Sequence, residues 1–364
     1  MQLRSSFAFL ALATGLGAVS LRAQQDAAAK PETAKVVKPA PAQAEPPKEG
    51  ENNNIKVQVN EVVVPVTVTD DRGRFVSNLD EKDFKILDEG KEQTIQYFNR
   101  DRNQPVVVGF IIDMSNASRL QWKHYQQSAS ELALTLLPGD PKFSGFLITY
   151  TNEPELLIDT TNDGDAIAEK IRQLKPAGGA ALYDAVYMAL TKHRQVKGEP
   201  IEPRRILVII SDGHDNASKR TLDQVLELCQ RQLVTVYGVS TVAFGDITPD
   251  ERNLLRLAEE TGGRVVSPLQ KVYDDISGYL STPMDEGNYK FAFGSGGYSS
   301  ELAQGMFRAI TDVAGEVTTQ YILRYTPAIS ADDAKKRVFR KIDVVVDYPN
   351  MRVRARKGYY PYAP

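Results

Sequence analysis

Two long apolar runs in this chain each end in an oxygen-bearing group. Val106-Val107-Val108-Gly109-Phe110-Ile111-Ile112 runs into Asp113-Met114-Ser115, and far downstream Ile206-Leu207-Val208-Ile209-Ile210 runs into Ser211-Asp212-Gly213. An apolar run without alternation reads as a strand buried on both faces, as in a parallel sheet covered by helices. Each run delivers its aspartate at the carboxyl end, the edge at which open α/β sheets bind ligands. Two carboxylates and a hydroxyl are hard oxygen donors suited to Mg2+ or Mn2+, which makes Asp113, Ser115 and Asp212 the candidate metal ligands. The same three residues also suit helix caps and acceptors for loop amides, and that reading stays open.

Other chemistry is sparse. No Gly-x-Gly-x-x-Gly follows a strand and no Gly-x-Ser-x-Gly occurs, so neither a nucleotide cofactor nor a serine hydrolase is expected. His124, His193 and His214 are scattered without zinc-ligand spacing. His214 and Asp215 are the nearest candidates for a base in a metal-dependent hydrolase. Without a positioned base the chain reads as non-enzymatic. Asp184 reads as a loop or helix-start residue, and Asp215 and Asn216 as turn residues, with a place on the crevice rim as their other reading. The single cysteine, Cys229, excludes an intrachain disulfide, and its spacing from Leu222, Val225 and Leu226 marks it as a core residue. A net charge of -3 over 364 residues offers no basic excess for nucleic acid.

The elements that must position these residues follow from the patterning. Between 104 and 318, apolar strands (106–113, 143–150, 156–159, 206–211, 234–240, 264–267) alternate with helical periods (119–136, 163–174, 181–195, 221–231, 249–261, 300–317). Such alternation predicts a doubly wound parallel sheet. On either side the rhythm turns to short β-branched strands and polar turns, over 55–103 and again over 319–364, as in an antiparallel sandwich. The three C-terminal strands are too few to stand alone. The two flanks are therefore expected to form one β domain with the α/β domain inserted between them. The rival is two separate small β modules.

Residues 1–23 read as a secretory signal peptide: Arg4, an apolar stretch over 7–21 too short to span a bilayer comfortably, and a cleavage site after Ala23 or Ser20. An uncleaved anchor is the competing reading. Residues 24–54, rich in Ala, Pro, Lys and Glu, read as a flexible linker. No later segment is apolar enough to span a membrane, so the mature chain is expected to be exported: periplasmic, secreted or at the cell surface. The segment 283–300, with Tyr289, Phe291, Phe293 and Tyr298, reads as a hairpin or a partner-binding loop, or as cover for the core. The glycines of 294–300 read as a flexible connection into a helix.

Several motifs in a fixed order carry a resemblance. They are Phe84-x-Ile86-x-Asp88-x-Gly90, Asp113-x-Ser115, Gly178-Gly179-x-Ala181-Leu182-Tyr183-Asp184-Ala185, Ser211-Asp212-Gly213, Tyr321-x-Leu323-x-Tyr325-x-Pro327 and Gly358-Tyr359-Tyr360. Together they resemble a von Willebrand factor type A (VWFA) domain set in flanking β segments, as in an exported acidobacterial group of such proteins. The resemblance implies a Rossmann-like α/β fold with sheet order 3-2-1-4-5-6, inserted in an immunoglobulin-like (Ig-like) β-sandwich. It also implies a metal-ion-dependent adhesion site that engages an acidic group of a protein partner. The family pattern is Asp-x-Ser-x-Ser, a loop Thr and a later Asp. Asp113, Ser115 and Asp212 match it, whereas Ala117 and Ala180 stand where a Ser and a Thr are expected. Ser118 falls one place late, where a helix start would aim it elsewhere. The expectation is a degenerate site for protein binding with weak Mg2+ or Mn2+ affinity; the alternative is an assembly scaffold with a metal-free, inert crevice.

Overall fold

The computed structural model describes residues 61–100, 105–120, 122–191, 204–242, 248–268, 296–336 and 338–361. The leader, the linker and most of the 283–300 segment lie outside the described residues.

The apolar run Val106–Asp113 is strand β5, buried at every position. It sits at the centre of a six-stranded sheet with β6 (Phe143–Tyr150), β7 (Pro154–Thr161), β8 (Arg204–Ser211), β9 (Thr235–Ser240) and β10 (Val265–Val266). The order is β10-β9-β8-β5-β6-β7. In the order in which these six occur, this is the 3-2-1-4-5-6 arrangement that the resemblance implies. Strand β5 pairs in parallel with both β6 and β8.

Helices cover both faces. On one face α1 (Trp122–Leu136), α2 (Gly164–Arg172) and α6 (Gly296–Thr319) pack Tyr125, Leu132, Ile167, Ile171 and Val313 against Val108, Phe110, Val208 and Tyr237. On the other, α3 (Leu182–Thr191), α4 (Leu222–Arg231) and α5 (Pro249–Glu260) pack Val186, Val225, Cys229 and Leu254 against Val107, Ile111, Ile148 and Ile209. Odd and even residues of β5 therefore serve different cores, which is why the run shows no polar alternation. Gly109 is required here, because a Cβ would lie 2.4 Å from the Phe146 ring.

One expectation needs correction. The sheet is mixed, because β7 runs antiparallel to β6. Only residues 151–153 separate the two strands, and a parallel return needs a crossover of a dozen or more residues.

The flanking segments form two four-stranded antiparallel sheets. The first, β13-β1-β11-β4, places β1 (Val62–Thr69) between β11 (Tyr321–Tyr325) and β13 (Arg352–Ala355), with β4 (Tyr97–Asn99) at its edge. The second, β14-β12-β2-β3, pairs β2 (Phe84–Asp88) with β3 (Lys91–Gln93) and with β12 (Arg340–Val346), which also holds β14 (Gly358–Tyr359). Val64, Val66, Phe84, Ile86, Tyr321, Leu323, Tyr325 and Ile342 fill one core between them. Each sheet thus joins strands from before and after the α/β unit, an all-β, Ig-like sandwich with the α/β domain inserted. A short helix, α7 (Ala331–Lys336), lies between β11 and β12.

Asp88 is buried at the sandwich centre. It accepts hydrogen bonds from the hydroxyls of Tyr325 (3.0 Å) and Tyr359 (2.9 Å) and pairs with Arg340 at 2.7 Å. Asp88, Tyr325 and Tyr359 come from three of the motifs that carry the resemblance, and they meet at one point.

The two folds join at the amino edge of the six-stranded sheet. The Arg204 amide donates to Pro105 O at 2.9 Å, so the strand starts lie together. The Arg204 side chain reaches Val317 O and Gln320 at the end of α6. Buried Glu316 accepts from Thr67 on β1 (3.1 Å) and pairs with Arg264 (2.7 Å) and Arg354 (2.6 Å). This carboxylate ties together residues from both folds.

Candidate functional site

At the opposite, carboxyl edge, the register places the predicted residues side by side. Ile112 pairs with Ile210, so Asp113 ends β5 next to Ser211, which closes β8. On the other side Asp113 pairs with Tyr150 at the end of β6. Asp113 is 1% exposed and its Oδ1 accepts the Ser115 amide at 2.7 Å. Asp212 is half-buried and accepts the His214 amide at 2.9 Å. Burial pushes the Asp113 carboxyl up to about 6; the Asp212 charge adds to the rise and the Ser115 amide opposes it. The Asp212 charge therefore reaches Asp113 across neighbouring strands.

Three loops build the walls. Ala177 N donates to Met114 O and Asn116 N to Gly178 O, which ties the loop after β5 to the loop before α3. Asn216 ties that loop to the one after β8: its Oδ1 accepts Ala180 N at 2.9 Å, and its own amide donates to Ala180 O at 2.9 Å. Asn152, in the β6–β7 turn, accepts Gly179 N at 2.9 Å. A Cβ at Gly179 would lie 2.5 Å from Asn152 Oδ1 and 3.1 Å from Asn216 Oδ1, so the close approach requires glycine there. Asp215 accepts Tyr183 N and the Ser218 hydroxyl, and Asp184 accepts Lys219 N and pairs with Arg220 at 3.1 Å. These two carboxylates are thus engaged in fastening loops. His214 pairs with Asp250 at 2.9 Å, and that hydrogen bond raises its pKa.

Beneath the crevice, the buried Tyr150 hydroxyl donates to Ser211 Oγ at 2.7 Å, and Ser211 Oγ also accepts Gly213 N at 2.9 Å. Burial first, and then the Asp113 charge, hold the phenol well above its ordinary pKa. It stays a donor and keeps Ser211 occupied.

Three oxygens in this region lack partners. Asp113 Oδ2, Ser115 Oγ and Ser118 Oγ are each buried without a hydrogen bond. Buried polar atoms are nearly always paired, and an unpaired one costs about 1–3 kcal/mol. Three within six residues, at the end of β5 and in the loop after it, call for a ligand or water. Ser118 lies one place past the family position, yet it is buried. Residues Ala117–Leu120 form a 3-10 turn before α1, and in this turn Ser118 is 5% exposed whereas Ala117 faces solvent. A 3-10 turn advances three residues per turn rather than 3.6, which changes which side chain points inward. Ala180, in contrast, is fully buried and contributes no hydroxyl. Among the described residues, no three His, Cys, Asp or Glu side chains cluster to hold a metal. Any cation here would rest on two carboxylates and neutral hydroxyls.

Residues 108–272 match the model of the von Willebrand factor type A domain family. No curated protein matches the chain. Among solved structures it is similar to an aerotolerance-related membrane protein from Bacteroides fragilis (16% identity, 48% of this chain and 97% of that one, TM-score 0.36). A von Willebrand factor type A protein from Catenulispora acidiphila matches at 13% identity over 58% of this chain and 46% of that one (TM-score 0.38). Proximal thread matrix protein 1 from the mussel byssus, with a zinc-occupied metal-ion-dependent adhesion site, matches at 14% identity over 50% and 48% (TM-score 0.38).

Proposed function

Residues 108–272 of this chain are a von Willebrand factor type A domain, and from that premise we propose a non-enzymatic binding module that engages an acidic side chain of a protein partner at the carboxyl-edge crevice. Domains of this family commonly mediate protein–protein interaction. A divalent cation, Mg2+ or Mn2+, would be held by Asp113, Ser115 and Asp212, with Ser118 in place of the hydroxyl that Ala117 lacks. The observation that supports this reading is the set of unpartnered oxygens, Asp113 Oδ2, Ser115 Oγ and Ser118 Oγ. The donors are hard oxygens and the carboxylate is desolvated, which is the chemistry such a cation satisfies. When bound, the cation supplies a coordination position for a carboxylate from outside. The protein's own part is to hold Asp113 through the Ser115 amide, to keep Ser211 occupied with Tyr150, and to fix the rim through Asn152 and Asn216. The missing hydroxyl at Ala180 makes the site weak.

On the same reading, residues 1–23 are a signal peptide and 24–54 a tether. The sandwich comprises 55–103 and 319–364 around a 104–318 insert, and the protein works outside the cytoplasm. The pairing of β1 with β11 and β13 supports the division. Among the described residues no helix is long and apolar enough to cross a membrane.

Mn2+ is expected to raise the thermal midpoint of the wild-type chain, and Asp113→Ala to abolish the rise. An equal rise in Asp113→Ala would place the ion elsewhere. No rise in the wild type, with partner capture indifferent to chelator, would favour the second reading, a metal-free scaffold. The residues that favour that reading are Ala117 and Ala180.

A further inference from the structure

A second cleft lies at the opposite pole of the molecule, where the sandwich meets the α/β unit. Its volume is about 460 Å3, within the range of small-molecule sites. Thr69 of β1, Phe75, and Arg352 and Arg354 of β13 line the cleft from the sandwich; Glu259 of α5, Arg264 and Asp312 of α6 line it from the α/β unit, with Lys357 between β13 and β14.

The charges in the cleft do not balance internally. Arg264 and Arg354 share buried Glu316, and Arg264 also lies 3.6 Å from Asp312, so this group of two cations and two anions is neutral. Arg352 and Lys357 remain. Both are exposed, both line the cleft, and neither has an ion pair among the described residues. Glu259 is the single further acid of the lining. Two unpaired cations against the one further carboxylate of Glu259, with the guanidinium groups of Arg264 and Arg354 and the Thr69 hydroxyl alongside, leave donors in excess of acceptors. Arginine forks match the planar or tetrahedral oxygens of carboxylates and phosphates.

We propose that this junction cleft is a binding site for a small multivalent oxyanion, a phosphate ester or a polycarboxylate, held by Arg352 and Lys357 over the Arg264–Glu316–Arg354 group. The site is separate from the carboxyl-edge crevice and needs no metal. Because its walls belong to both folds, an occupant bridges them.

Calorimetric titration of the full chain at constant ionic strength tests this, with inorganic pyrophosphate in one arm and citrate in the other. Saturable one-site binding is expected in at least one arm, and the tighter arm names the source of the oxyanion. The double variant Arg352→Ser/Lys357→Ser should weaken it at least tenfold, whereas Lys85→Ser, an exposed lysine of β2, should leave it unchanged. Both substituted residues are exposed, so the double variant should keep the wild-type melting midpoint without ligand. Absence of saturable binding in both arms, or equal binding by the folded double variant, would overturn the proposal. Mn2+ titration of the double variant should match the wild type, which keeps this result distinguishable from any result at the crevice.

Discussion

Asp113 is the buried carboxylate of the crevice, and its desolvation carries a cost. Its carboxyl is raised from 3.8 to about 6, chiefly by burial. A raised carboxylate contributes stability that is fully present below the unfolded value and is lost as the folded group ionises. The metal-free protein should therefore lose stability as pH rises from about 4 to about 6, by on the order of 3 kcal/mol at most for a shift of this size. Urea unfolding in chelator checks this, and Asp113→Asn should flatten the slope. A cation competes with the same proton, so Mn2+ binding should tighten through the same window. Rebuilding the family pattern should have unequal effects. Ala117 is exposed, so Ala117→Ser should change stability by less than about 0.5 kcal/mol. Ala180 is fully buried, so Ala180→Thr should cost about 1–3 kcal/mol from overpacking. Chemical denaturation of the two variants distinguishes them. At this scale the sequence is legible where a side chain ends a strand, because Asp113 and Asp212 inherit their place from the apolar runs. Ser118 was not legible: its inward direction depends on one 3-10 turn, and no local pattern separates that turn from the first turn of a helix.

Elements were more legible than their connections. The bounds of β5 and β6 coincide with the predicted runs, because double-sided burial leaves no charged residue inside either strand before its carboxyl end. The direction of β7 lay in the length of a turn, and its alternation with helices concealed it. The hydrogen bonds of Asn152 and Asn216, which join three loops, join residues distant in sequence and leave no periodic trace. The Asp88 cluster is a different case. Its residues stood out as motifs, yet their common purpose needed the pairing of β2 with β12 and the place of Tyr325 opposite. Asp88→Ala would leave the buried end of Arg340 and two phenols without their acceptor. A loss of about 3–5 kcal/mol is expected, as when one member of a buried pair is removed, and the urea midpoint measures it. Metal binding at the distant crevice should be unaffected wherever the variant remains folded.

The molecule as a whole is two folds joined by buried charge. Glu316, on the last helix of the α/β unit, is shared by Thr67, Arg264 and Arg354, and Arg356 packs its fully buried side chain toward Leu233 O at 2.9 Å. Such polar contacts penalise separation, because each fold would leave unmatched groups behind. Deleting residues 319–364 removes β11, β12, β13 and β14 together, and with them both neighbours of β1. The truncated chain should show no protected amides over Val62–Thr69 in hydrogen exchange; full protection there would refute the composite sandwich. The doubly wound sheet was legible from alternation and its strand order from the resemblance, whereas the docking of the two folds was not, since Glu316 sits in an ordinary helical pattern and Gln320 just beyond it.

The strand pairing also sets a timetable for synthesis. Asp88 waits 237 positions for Tyr325 and 271 for Tyr359, and β1 has no neighbour until the final strands are made. A nascent chain emerging from its amino end must make the whole central unit before the β-branched segment ahead of it can pair with β11 and β13. The closing step of maturation is then a long-range stitch, slow by its topology and exposed to edge-to-edge pairing between molecules until the last strands arrive.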